Sequence, residues 1–117
     1  MSPFNFIAAV GSLPTNVKYH YYINLAQCLT VANRAIWSNS ELSIEEQLQA
    51  LKCTNEVMHR VLNRAGDLGR EQQLWTEADI FETFRAIVGT CPNINGDVGG
   101  ALTYAFEQTI AQNVAAE

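Results

Sequence analysis

The chain has 117 residues, 48% of them hydrophobic and 16% charged, and a net charge of −5. That length and apolar content suit a single domain, residues 1–117, with a real core, and exclude a disordered chain, a repeat array or a membrane-spanning helix. Seven basic residues against twelve acidic ones leave no concentrated positive face, so neither nucleic acid nor membrane is an expected partner.

Three cysteines, Cys28, Cys53 and Cys91, form no C-x-x-C pair, which argues for reduced thiols rather than a disulfide framework or zinc knuckle. The start, MSPFNFIAAVGSLP, has an apolar patch without the basic segment of a secretory signal, so a cytoplasmic location is expected. Ser2-Pro3 reads as an N-cap followed by proline at the first helical position, and Gly11 as a stop. The spacing predicts a short helix over 3–10, with Phe4, Phe6, Ile7 and Val10 against the rest of the fold.

A turn at Leu13-Pro14-Thr15 leads into a long helix, about 15–38. On a wheel of about 100° per residue, His20, Asn24, Gln27, Arg34 and Ser38 share a narrow polar stripe. Val17, Tyr21, Leu25, Cys28, Leu29, Ala32, Ala35 and Ile36 form the opposite arc. Tyr19, Tyr22, Ile23, Ala26 and Trp37 widen that arc beyond what one packed neighbour covers. Either this helix is central, or it lends a face to a partner. These five are the candidate interaction residues, since tyrosine and tryptophan combine a large apolar body with a polar tip.

The link from Ser38 to Leu42 is short enough for an antiparallel hairpin. Ser43 and Glu46 have the spacing of a capping box, and Gly66 is the expected stop of the helix they open. Within it Ile44, Leu48, Leu51, Met58, Leu62 and Ala65 recur at alternating steps of four and three, with Asn55 the one polar member of the series. Glu56-Val57-Met58-His59 has the Glu-x-x-His spacing of carboxylate-bridged di-metal bundles, where residues three apart reach one ion. The apolar arc of the wheel runs from Val57 through Val61, Ala50, Thr54, Met58, Leu51 and Leu62 to Leu48, with Glu56 outside it and His59 on its edge. Lys52, Glu56, Arg60 and Arg64 follow one another at four-residue steps, as on a solvated charged face. A metal site built on Glu56 and His59 therefore requires carboxylates from a second subunit. Cys53 is expected on the polar side of this helix, exposed.

Residues 66–75, GDLGREQQLW, break the periodicity. Thr76 can cap a third helix, about 77–89, with Ile80, Phe81, Phe84, Ile87 and Val88 on its inner side. Glu77, Asp79 and Glu82 are the acids a helix dipole favours in early turns, rather than an acid–base pair. The stretch from Cys91 to Gly100, CPNINGDVGG, gathers a thiol, turn formers and glycines ahead of a helix, which makes Cys91, Asn93, Asn95 and Asp97 the loop candidates. It lacks G-x-G-x-x-G and G-K-[ST], and Asp97 would repel phosphate. Asp97 as an N-cap, with Gly99 and Gly100 allowing close helix approach, accounts for the pattern. The last helix, about 97–114, turns Val98, Leu102, Ala105, Phe106 and Ile110 inward and Tyr104, Glu107, Gln108 and Gln112 outward.

The expected fold is all-α, a four-long-helix bundle with a short additional N-terminal helix. No constellation in it demands catalysis or a cofactor. The expected function is that of a non-enzymatic, acidic, cytoplasmic interaction module, homodimeric, presenting a helical surface to another protein as a regulator, inhibitor or immunity-type binder does. One alternative is a metal- or small-molecule-binding bundle using Glu56 and His59 at a subunit interface. Another is a ligand pocket lined by Tyr21, Tyr22, Phe84 and Phe106.

Overall fold

A computed structural model of the chain describes residues 8–70, 77–90 and 95–115. Residues 8–11 are helical and Val10 is fully buried, as expected for the end of the short first helix, whereas Phe4, Phe6 and Ile7 lie outside the described residues. Four long helices follow: α1 (Thr15–Trp37), α2 (Ile44–Gly69), α3 (Glu77–Thr90) and α4 (Asn95–Ala115). The described residues contain no strand, and none of their helices is long and apolar enough to cross a membrane.

α1 is the central element. It packs against both α2 and α4, while α3 closes the ring by contacting α2 and α4. Short connections make the neighbours antiparallel, as in an up-down-up-down bundle. The core is filled by Tyr21, Leu25 and Leu29 of α1, Val57 and Val61 of α2, Phe81 and Phe84 of α3, and Leu102 and Ala105 of α4. Tyr21 stands edge-on to Tyr22 and Phe106, at 5.3 and 6.2 Å between ring centres, a favoured arrangement of aromatic quadrupoles.

Polar contacts fix the register of the two main seams. Between α1 and α2, the Asn33 side-chain amide donates to Asn55 Oδ1 at 3.0 Å, and the Thr54 hydroxyl donates to Asn33 Oδ1. Gln47 Nε2 donates to the carbonyls of Ile36, Trp37 and Asn39, satisfying acceptors that the end of α1 would otherwise leave open. Between α1 and α4, Asn24 Nδ2 donates to Thr109 Oγ1 at 2.9 Å and to Gln112 Oε1 at 3.2 Å. Asn24 is therefore buried rather than part of a solvated stripe.

α2 opens as its sequence predicts. The Glu46 amide donates to Ser43 Oγ at 3.1 Å, and the Ser43 amide donates to Glu46 Oε1 at 3.0 Å. It runs through Gly66 and ends at Gly69, because the burial of Ala65 and Leu68 outweighs the cost of about 1 kcal/mol that an interior glycine carries.

Its inward face takes up one side of the expected arc, that of Ala50, Thr54, Val57 and Val61, and leaves the other outside. Ala50, Cys53, Thr54, Val57, Val61, Arg64 and Leu68 are buried, whereas Ile44, Leu48 and Leu62 are 73, 55 and 49% exposed. Leu51 and Met58 sit between, half-buried on the core's edge. The apolar arc of α2 is wider than its neighbours cover, and they settle on the flank of small and β-branched side chains, which permits closer approach. Cys53 is consequently buried, not exposed. α4 begins at Asn95, so Asp97 lies inside its first turn and is not the N-cap. A Cβ added at Gly99 or Gly100 would meet nothing within 4 Å, so neither glycine is required for close packing. Ile110 is exposed and Thr109 takes the buried position beside it.

Candidate functional site

Two features of the folded chain combine chemistry with position: a buried charge cluster where α1, α2 and α3 meet, and the outward face of the α1–α2 hairpin. The cluster is centred on Glu77, the first residue of α3, where the helix dipole already favours a carboxylate. Arg64 donates to Glu77 Oε2 from Nη2 at 2.7 Å and from Nε at 2.9 Å. Lys18 Nζ donates to Oε1 at 2.7 Å, and the Tyr22 hydroxyl donates to Oε2 at 3.5 Å.

Arg64 is only 1% exposed, in contrast to the solvated face expected for it. It shares the α2 flank of Val57, Val61 and Leu68, and the carboxylate across the seam makes that burial tolerable. Desolvation pushes the Tyr22 hydroxyl far above the ordinary tyrosine range; the Glu77 carboxylate raises it further, against a smaller lowering by Arg64. Both oxygens of Glu77 are engaged, Oε1 by Lys18 and Oε2 by Arg64 and Tyr22. That arrangement ties three helices together.

Tyr22, expected on an interaction surface, therefore belongs to the interior. The reason is the central place of α1, whose apolar arc is shared between α2 and α4. Of the other four candidates, Tyr19, Ile23 and Ala26 are half-buried along the core's edge and Trp37 is 63% exposed. Tyr19 lies close to Gly69, where an added Cβ would be 3.5 Å from its ring. The bond from Asn33 to Asn55 sets these helices side by side. On α2 a shallow depression lies among Leu48, Leu51, Lys52, Asn55, Glu56, His59 and Arg60.

Glu56 and His59 both lie in that depression and are exposed. Among the described residues, no three His, Cys, Asp or Glu side chains are grouped to hold a metal ion. Asn95 and Asp97 stand in the first turn of α4, and Cys91 and Asn93 lie outside the described residues. A second groove, between α1 and α4, is bordered by Cys28, Val31, Ala35, Gly100 and Tyr104. Burial raises the pKa of the Cys28 thiol, which keeps it protonated and a poor nucleophile.

The charge cluster was the feature that sequence reasoning missed, although one signal was present. On the wheel Arg64 falls on the arc of Val57 and Val61, and a charge there demands a buried counter-charge. Comparison with family models, with curated proteins and with solved structures finds no match for this chain.

Proposed function

We propose that this protein works by binding another polypeptide through the outward face of the α1–α2 hairpin, without catalysis of its own. The observation that carries this reading is the Ile44, Leu48, Leu62 ridge, which is 73, 55 and 49% exposed beside the buried flank of Ala50, Val57 and Val61. Contiguous exposed apolar patches on small domains mark contact surfaces. Trp37 at 63% exposure supplies the large amphipathic side chain that anchors such contacts. Lys52 and Arg60 rim the depression and set it apart from a chain whose net charge is −5.

The experiment is affinity capture from the native cell extract with the wild-type chain, with Trp37→Ser and Leu48→Ser, and with Val31→Ser on the other groove as control. A species held by the wild type and the control, and lost from both hairpin variants, is the expected result. Equal capture by all four chains would refute the reading.

A further inference from the structure

We propose that α3 is a lid, pinned shut at its first residue by Glu77, which lifts away as one unit while α1, α2 and the body of α4 stay folded. Among the described residues its backbone approaches its neighbours at fewer positions than that of any other long helix, and it is the shortest of the four. A helix of 14 residues is marginal on its own in water, so α3 keeps its form only while docked. α1, by contrast, retains its two main seams with α2 and α4 when α3 leaves. The interior divides along that line: Ile80, Phe81 and Phe84 depart with the lid, while the Asn33 to Asn55 and Asn24 to Thr109 bonds remain.

Two observations unconnected with the packing of α3 make opening easier. At the pin itself, Arg64 Nη1 is buried with no partner among the described residues. An unpaired buried donor is unfavourable in the closed state, and lifting Glu77 away lets water reach the whole guanidinium. Beyond the lid, Gly99 and Gly100 lie exposed in the second turn of α4, where an added Cβ would meet nothing within 4 Å. Each weakens the helix about fivefold relative to alanine with no packing in return, so the start of α4 can melt as α3 departs. Low local stability of this kind distinguishes a movable element from a fixed one. In the open state Lys18, Arg64 and Tyr22 lose the carboxylate they share, and a buried cluster becomes a solvated pair of cations beside a tyrosine.

Native-state hydrogen exchange on the full chain, followed by NMR at low concentrations of urea, tests this. Corrected for intrinsic rates, the amides of Phe84 and Arg85 in α3 should exchange at least tenfold faster than those of Leu25 and Val57, with a weaker dependence on urea. Ser43→Ala removes a cap that is present in the closed and open states alike. It should therefore speed Leu25 and Val57 about fivefold and leave α3 unchanged. Glu77→Gln should speed both sets by the same factor, at least tenfold, because the contacts of Glu77 are lost in either kind of opening. Gly99→Ala combined with Gly100→Ala should slow both sets alike. Equal protection of all four helices, with Ser43→Ala speeding α3 by the same fivefold, would mean a single cooperative unit and overturn the proposal. It would also fall if Glu77→Gln left the exchange of α3 at the wild-type rate, or if the alanine pair slowed Leu25 and Val57 without slowing α3.

Discussion

Glu77 and Arg64 show what a single pair of residues decides in this fold. Arg64 is almost wholly buried with Nη2 2.7 Å from the carboxylate, and losing either member leaves the other charge inside the protein without its principal partner. Arg64→Met is expected to destabilise the chain by about 3–5 kcal/mol in urea unfolding. Arg64→Met combined with Glu77→Leu should cost clearly less than the sum of the single changes. Additive losses would mean that the two side chains are not coupled.

Tyr21 and Tyr22 give a second test at the same scale. Burial raises both hydroxyls above the ordinary tyrosine value, by desolvation first in each case, so the unfolded chain ionises before the folded one. Stability is then fully held below about pH 10 and is lost as pH rises beyond it, with the folding constant falling about tenfold per pH unit for each tyrosine. Tyr22→Phe should halve that slope. The Tyr21 hydroxyl is buried with no partner among the described residues, so Tyr21→Phe should be neutral or stabilising at pH 7. A loss of more than 2 kcal/mol there, by order of magnitude that of a satisfied buried group, would contradict this account of the site.

At the level of the helices, the start of α2 was easier to read than its face. Ser43 and Glu46 specify the opening of α2 by local chemistry alone, and the capping box forms. Ser43→Ala should cost about 1 kcal/mol with no effect on association, because both residues are exposed and outside the ridge. The inward face of α2 was legible only in part, since the arc read from its spacing holds Ala50, Thr54, Val57 and Val61, which are buried, together with Leu48 and Leu62, which are exposed. Its sequence carries two adjacent apolar stripes, one of Ala50, Val57 and Val61 and one of Ile44, Leu48 and Leu62. Periodicity favours the stripe with the larger side chains, whereas packing favours the one that lets neighbours come closer. The central place of α1 was half legible. Its broad arc predicted either two neighbours or a partner, and the fold uses Tyr22 for the first while leaving Trp37 exposed. The burial of Arg64 had a signal in its place on the wheel, but its counter-ion did not, because Glu77 stands 13 residues away at the start of another helix.

The molecule as a whole has two unlike ends to its chemistry. Lys18, Arg64 and Glu77 lock the N-terminus of α1 to the C-terminal half of α2 and the start of α3, and nothing in that lock is open to a substrate. The hairpin's outward face is the reverse: apolar, rimmed by alternating charge and left uncovered by the ring of helices. The all-α class followed from spacing alone, since long three- and four-step periodicities with short links admit little else. Which stripe of α2 the ring leaves outside is settled instead by tertiary packing.

The most direct measurement of the central claim is capture from the native cell extract by the wild-type chain and by Leu48→Ser, at equal chain concentration and salt. The wild type should hold a species that Leu48→Ser loses, while the unfolding free energy of Leu48→Ser stays within about 0.5 kcal/mol of wild type, as for a surface substitution. Undiminished capture by Leu48→Ser, or a large loss of stability in it, would contradict the account.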